Sequence, residues 1–145
     1  MPCAIGRGGI GVKQREGDGM TPVGTFKLLS RYSRPDRGKG PRGGSVARLN
    51  TRWSDDPQDP SYNTPRPFDR RYSGEMLRRP DRLYDLIAVT DFNAQPVVPG
   101  RGSAIFLHVW RSPRFPTAGC AAFRERDLRW ILDRWTTRSR VIIQP

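Results

Sequence analysis

The chain has 145 residues, the usual size of one domain, with 35% hydrophobic and 28% charged residues, and Pro and Gly supply a fifth of it. A net charge of +12 suits either a nucleic-acid module or an enzyme that attracts an anionic polymer, but the arginines are scattered, without RGG repeats or zinc-finger spacing. Two distant cysteines and one histidine exclude a disulfide framework and a metal site, and no apolar run approaches the ~20 residues of a membrane span.

The N-terminal part of the chain predicts a β-hairpin. Residues 3–12 (CAIGRGGIGV) indicate a short strand and a glycine turn, and residues 13–19 (KQREGDG) indicate a polar turn in which glycines permit positive φ. Residues 21–32 (TPVGTFKLLSRY) contain β-branched and aromatic residues typical of a strand. Because a short polar turn separates the two strand patterns, we expect them to pair.

Residues 33–82 are rich in Arg, Pro, Asp and Gly and show no hydrophobic periodicity. The segment nevertheless carries the spaced aromatic residues Trp53, Tyr62, Phe68 and Tyr72. A disordered segment rarely has such residues, so we expect an ordered but irregular excursion over one face of a sheet. A partly disordered insertion is the alternative.

The C-terminal half has clearer patterns. Residues 83–92 (LYDLIAVTDF) predict a strand, and residues 104–110 (AIFLHVW) predict a second strand that is apolar on both faces and central in its sheet. A helix is expected from about 124 to 137, where four apolar residues have helical spacing: Leu128, Ile131, Leu132 and Trp135. A last strand is expected at 141–144 (VIIQ). Together the elements predict a mainly β domain with one substantial helix.

One histidine and one interior cysteine can form a nucleophilic pair. His108 lies late in the buried strand, and Cys120 follows Gly119 in the loop before the predicted helix. A free thiol has a pKa of about 8.5, so a neighbouring imidazole that takes its proton makes the thiolate available. We expect the positive end of the helix dipole to help if the helix points at the sulfur, and the N–H groups of Gly119 and Cys120 to hold an oxyanion. An inert buried cysteine and a packed histidine are the alternatives.

Two sequence blocks resemble the L,D-transpeptidase (YkuD-type) family. HVWRSPRFPTAGC, residues 108–120, is similar to its active-site stretch, in which a His and a variable loop precede Ser or Thr, any residue, Gly and Cys. GDGMTPVGTF, residues 17–26, resembles its early TPxGxF hairpin. The resemblance is detailed over 3–29 and 84–133. It implies one YkuD-like β-sandwich catalytic domain over 1–145, with the 33–82 excursion flanking the cleft.

The resemblance also implies roles for individual residues. Cys120 would be the nucleophile that forms a thioester, and His108 would be the general base and later the acid. Thr117, or the backbone near His108, would orient the imidazole, and Gly119 would shape the oxyanion pocket. No cofactor and no metal are implied.

The substrate-binding residues depart from the family pattern. Many members have Arg two positions after the Cys, where this chain has Ala122, with Arg124 two positions further on. We expect Arg124 to hold substrate and Arg101 to bind a stem-peptide carboxylate, since Arg suits bidentate carboxylate contacts. Tyr62 and Asn63 are candidates for the cleft wall. The alternative for each is core packing or loop pinning.

The expected function is peptidoglycan L,D-transpeptidation in the periplasm or cell envelope, supporting cell-wall biogenesis and cell shape. Stem peptides would be donor and acceptor, and no nucleic acid and no membrane span are expected. The pattern YDLIAVTDFN…VVPGRGSAIFLHV…PTAGCAA resembles a proteobacterial subgroup whose implied donor is L-Ala, giving 1,3-type crosslinks to diaminopimelate. An L,D-carboxypeptidase with the same Cys–His pair and a non-catalytic basic binding module are the alternatives. No signal peptide is visible and the first-strand region is short for the family, so we expect a missing upstream segment.

Overall fold

The computed structural model describes all residues, 1–145, and has thirteen strands and one α-helix. A 3₁₀ turn spans Pro35–Arg37, and the helix α1 spans Glu125–Asp133. The strands are β1 (Cys3–Ala4), β2 (Ile10–Gly11), β3 (Thr21–Pro22), β4 (Gly24–Phe26), β5 (Leu28–Ser33), β6 (Ser45–Val46), β7 (Thr51–Ser54), β8 (Pro65–Pro67), β9 (Gly74–Met76), β10 (Leu86–Thr90), β11 (Phe106–Val109), β12 (Ala121–Phe123) and β13 (Val141–Ile143).

A six-stranded sheet in the order β1-β12-β11-β10-β5-β6 forms the centre of the molecule. Strand β11 runs antiparallel to β10, with Ile87 opposite His108, and parallel to β12, with Leu107 opposite Ala121. All four residues of β11 are buried. This confirms the prediction of a central strand, because an apolar run without alternation is suited to a position covered on both faces.

The two faces of this sheet pack against different parts of the chain. Successive side chains of a strand point to opposite faces. Leu107 and Val109 pack on the helix side, in a cluster completed by Leu86, Ala88, Ala121, Leu128 and Leu132. Phe106 packs on the other side, in a cluster completed by Ala47, Trp53, Leu77, Tyr84, Ile87, Val89 and Cys120. The second face is therefore covered by the 33–82 excursion.

The excursion is ordered but less irregular than its sequence suggested. Strands β8, β7 and β9 form a small antiparallel sheet. The Trp53 ring packs edge-on against Phe106, with centroids 5.1 Å apart. The strands escaped prediction because β8 begins and ends with proline, which an edge strand accepts but a hydrophobic pattern does not reveal.

The predicted N-terminal hairpin is wrong. Strand β2 pairs with β3 in parallel, with Ile10 opposite Thr21. The loop between them is folded around the Asp18 carboxylate, which accepts hydrogen bonds from the N–H groups of Gln14, Arg15 and Met20 and allows the chain to return in the same direction. The single strand expected over 21–32 is also divided, into β3, β4 and β5 in three different sheets.

The C-terminal elements agree with their predictions, with a shorter helix. α1 buries Leu128 and Leu132 against β10 and β11 and ends at Asp133, before the expected limit at 137. β13 pairs with β4. α1 has nine residues, and no helix of the structure has the length and hydropathy required to cross a bilayer.

Candidate active site

Cys120 immediately precedes β12 and lies beside the start of β11. Its side chain is 8% exposed and packs on the excursion side of the sheet, in the same cluster as Phe106. The sulfur accepts a hydrogen bond from the Phe106 N–H at 3.4 Å and donates to the Ala104 carbonyl at 3.1 Å. The sheet register thus fixes the thiol at the end of the central strand.

The turn before Cys120 is held by the hydroxyl of Thr117, which lies within the turn, and by hydrogen bonds to the N-terminal segment. Thr117 Oγ1 donates to the Cys120 carbonyl at 2.7 Å and accepts from the Gly119 N–H at 3.1 Å. The Thr117 backbone bonds to both Ile5 and Arg7 at 2.9 Å. Gly119 has φ +146°, and a Cβ there would lie 2.8 Å from the Met20 carbonyl oxygen. Only glycine fits this turn without strain.

These contacts change two of the expected roles. Thr117 orients the cysteine turn and makes no bond to the imidazole. The Gly119 N–H is already bonded to Thr117, which leaves the Cys120 N–H as the backbone candidate for an oxyanion. Gly119 shapes the site through its conformation, since its backbone passes where a side chain would collide with residue 20.

His108 is oriented by the backbone, as one of the sequence alternatives proposed. Its Nδ1 lies 2.8 Å from the Val109 carbonyl oxygen, and its ring packs edge-on to Tyr84 with centroids 5.3 Å apart. A carbonyl oxygen only accepts, so Nδ1 carries the proton. In a neutral imidazole Nε2 is then the nitrogen with the free lone pair, which is the atom a general base needs.

Burial keeps the thiol and the imidazole neutral. Desolvation raises the pKa of Cys120 to about 12, and the Phe106 N–H only partly opposes it. Desolvation also lowers the pKa of His108 to about 4, against the opposing effect of the Val109 carbonyl. Because the thiol donates to the Ala104 carbonyl and burial keeps both groups neutral, the cavity contains a thiol and a neutral imidazole rather than a thiolate–imidazolium ion pair.

The condition set for help from the helix dipole is not met. Strand β12 stands between Cys120 and α1, which begins at Glu125. At about 3.3 Å per strand residue, the helix N-terminus is roughly 13 Å along the chain from the cysteine. The dipole effect is confined to the first turn, so it does not act on this sulfur.

Cys120 and His108 line one cavity of about 350 Å³. The Cys loop, the β11 region and the N-terminal loop contribute to its walls, and the excursion adds Asp55, Glu75 and Arg79. Burial raises the pKa of Glu75, and the hydrogen bond with Tyr84 and the Arg79 guanidinium 3.3 Å away oppose this shift only in part. The excursion therefore flanks the cavity that holds the Cys–His pair.

The four residues expected to bind substrate lie outside this cavity. The Tyr62 hydroxyl donates to Glu16 and accepts from the Gly102 N–H at 3.1 Å. Asn63 Oδ1 accepts from the Trp53 indole at 2.9 Å and from the Ala104 N–H at 3.1 Å. These contacts favour the loop-pinning alternative for both residues.

The two arginines point to solvent. Arg101 is exposed and Arg124 is exposed, with the Arg124 guanidinium 5.9 Å from the centre of the Trp110 ring. Neither side chain lies against the Cys–His pair.

Sequence reasoning missed the charged residues of the cavity, among them Glu75, Arg79 and Lys13. Glu75 and Arg79 come from a segment without any periodic pattern, and only the fold places them near His108. Lys13 lines the cavity from the N-terminal loop. One signal for it was available: it stands shortly before the TPVGTF block and pairs with Asp18 of the same glycine-rich turn.

Comparison with known proteins shows the family to which the chain belongs. Residues 1–143 match the family described as YkuD, L,D-transpeptidase catalytic domain. No curated protein matches the chain, and no solved structure matches it.

Proposed function

We propose, from the premise that this chain belongs to the YkuD family of L,D-transpeptidase catalytic domains, that it crosslinks peptidoglycan stem peptides through a Cys120 thioester. The single observation that supports this most is the placement of Cys120 and His108. His108 lies in β11, Cys120 immediately precedes the adjacent parallel strand β12, and both line one cavity. A thiol beside a neutral, oriented imidazole is the arrangement that nucleophilic acyl transfer requires.

The proposed reaction starts from the neutral pair. His108 Nε2 takes the thiol proton as the sulfur attacks the donor carbonyl carbon, a C–S bond forms and the carbonyl electrons move to oxygen. Collapse of this intermediate breaks the C–N bond, and the leaving amine receives the proton from Nε2. The amine of a second stem peptide then attacks the thioester carbon, so that a new C–N bond forms and the C–S bond breaks. Nε2 takes a proton from this amine and returns it to the sulfur, which regenerates the thiol.

We further propose that the donor residue is L-Ala, so that the product is a crosslink between the first and third stem positions. Ala122, which occupies the place where many family members have Arg, is fully buried in β12. Arg124 is directed to Trp110 instead. No arginine after the cysteine therefore reaches the cavity to hold a diaminopimelate donor, which favours a differently placed donor.

The proposed place of action is the cell envelope, in the periplasm. The substrate belongs there, and the net charge of +12 would concentrate an enzyme near an anionic wall polymer. The net positive charge would favour binding of the enzyme to the polymer and does not by itself define the reaction.

The test is incubation of the protein with purified muropeptides, followed by mass spectrometry of products and of the intact protein. The wild type is expected to form an acyl-enzyme adduct and crosslinked dimers. Cys120→Ser and His108→Gln should lower product formation by at least about 10³-fold, because both act as one unit. Cys3→Ser is the matched control, since Cys3 is exposed, outside the cavity and should not affect the rate.

The products separate the alternatives. Trimmed monomers without dimers would identify a carboxypeptidase with the same pair. Fragmentation of a dimer distinguishes a crosslink from position one from a crosslink from position three. Adduct and products that survive Cys120→Ser would refute the proposed mechanism.

A further inference from the structure

A buried lysine lies on the N-terminal side of the cavity. Lys13 is 5% exposed and lines the cavity together with Gly119 and Cys120. Its Nζ is 2.6 Å from Asp18 Oδ1. Lysine is rarely this buried, because removing an ammonium from water is costly unless it is paired.

The fold fixes the position of the Lys13 side chain. Its stem crosses Gly102, where a Cβ would lie 2.5 Å from Lys13 Cε, so a larger residue would displace it. The Asp18 carboxylate is itself held by three backbone N–H groups. Desolvation acts to raise the pKa of Asp18, but the bond to Lys13 and these N–H groups outweigh it and hold that pKa well below its usual range. Asp18 is therefore an ionised carboxylate at neutral pH.

The ammonium faces the cysteine turn. A Cβ built on Gly119 would lie 3.6 Å from Lys13 Nζ. An ammonium has three N–H donors, of which Asp18 takes one. The positive charge thus stands next to the residue whose own N–H is occupied by Thr117.

We propose that Lys13 is a catalytic residue that stabilises the negative charge on the Cys120 sulfur and on the substrate oxygen during acylation. This deepens the proposed function and rests on it. Lys13 gives up no proton, and its role is electrostatic, at the point where charge develops. Burial dominates the pKa of the Cys120 thiol and raises it, while the Lys13 charge acts in the opposite direction.

The other ionisable groups of the cavity do not place a free positive charge beside Gly119. They are Glu16, Asp55, Glu75, Arg79 and Arg111, with the Tyr84 phenol. Arg79 is neutralised by Asp81, with a 2.7 Å contact, and by Glu75. Arg111 lies over the Phe115 ring. Glu75 raises the pKa of the thiol, so it opposes thiolate formation. Lys13 is the buried cation beside Gly119.

The test measures alkylation of Cys120 by iodoacetamide in a Cys3→Ser background, so that one thiol reports. Below the thiol pKa the rate follows the thiolate fraction, and a pKa raised by one pH unit lowers it tenfold. We expect Lys13→Met to slow alkylation and acyl-enzyme formation about tenfold at each pH from about 7 to 9. Lys13→Arg should restore most of the rate because it keeps the charge. The matched control is Lys27→Met, at an exposed lysine outside the cavity, which should leave the rate unchanged.

Lys13→Met leaves Asp18 without its partner and can impair folding. Lys13→Gln keeps an N–H donor for Asp18 without the charge, and a cooperative thermal transition identifies the folded variants. If folded Lys13→Met or Lys13→Gln were alkylated at the wild-type rate, the proposed role of Lys13 would be overturned. If Lys13→Met slows alkylation but the wild type makes no wall product, the electrostatic role stands and the proposed function fails.

Discussion

The two faces of the central sheet differ in what they pack against and in what they contain. On the helix side, Leu107 and Val109 of β11 meet Leu128 and Leu132 of α1 in an entirely apolar cluster. On the opposite side, the same strand contributes Phe106 to the core and His108 to the cavity. One strand of four residues therefore packs against the helix with one face and contributes to both the core and the cavity with the other.

The difference follows from the elements that cover each face. The helix presents an apolar stripe, in which Leu128 and Leu132 are four residues apart and both pack against the sheet. The excursion supplies isolated anchors such as Trp53 and Leu77, with polar residues between them. Such a covering layer leaves space beside the sheet, and Cys120 lies at the edge of that space.

The largest effect on stability is expected from a substitution on the helix side of the sheet, and it is compared with a substitution on the cavity side. Leu128→Ala removes a fully buried side chain and should lower the free energy of unfolding by about 2–5 kcal/mol, because a cavity remains in a dense core. The folded fraction should still form the acyl-enzyme at the wild-type rate. Urea unfolding and intact-protein mass spectrometry measure the two quantities.

Cys120→Ala is the converse variant. It should abolish the adduct while changing the free energy of unfolding by about 1 kcal/mol. If Leu128→Ala lowered the acylation rate of the folded protein as strongly as it lowers stability, the division between the two faces would not hold.

A smaller change in the free energy of unfolding is expected from pH. It arises from His108, on the face of the sheet that the excursion covers. The pKa of His108 falls on folding from 6.5 to about 4, so the unfolded chain binds more protons in this interval. Stability should therefore be full above about pH 6.5 and decline towards pH 4, by roughly 3 kcal/mol. Glu75, whose pKa is raised by burial, contributes with the opposite sign.

The measurement is urea unfolding of wild type and His108→Asn at several pH values. His108 is the only histidine, so the difference between the two proteins isolates its contribution. Parallel pH curves for the two proteins would contradict the prediction, because they would mean that folding leaves the pKa of His108 unchanged.

The sequence predicted the elements whose pattern is local. The apolar run of β11 and the four-residue spacing in α1 are visible without a structure, and so is the Cys–His pair. Strand β12 was missed because it has three residues, of which two are alanine, and its pairing with β11 is a long-range event. Because β12 was missed, the sequence left open whether the helix dipole could reach the sulfur, and the strand between them excludes it.

The contacts of the excursion could not be predicted from the sequence because they too join residues that are far apart along the chain. Asn63 joins Trp53 to Ala104, which lies 41 positions away along the chain. A single sequence records that an Asn is present, but not which distant N–H group it accepts from. Lys13 and Glu75 meet at one cavity for the same reason, since the fold alone brings positions 13 and 75 together.

The smallest expected effect concerns Arg124, at the boundary between β12 and α1. Its side chain is exposed over the Trp110 ring, where a cation–π contact contributes about 0.5–1 kcal/mol. Arg124→Gln should therefore cost no more than this in stability and change kcat/KM for muropeptides less than about twofold, corresponding to about 0.4 kcal/mol. Steady-state kinetics with the muropeptide donor decide the point. A tenfold rise in KM at unchanged kcat would mean that substrate extends beyond the cavity onto this exposed edge, and that the active surface is not confined to the excursion side.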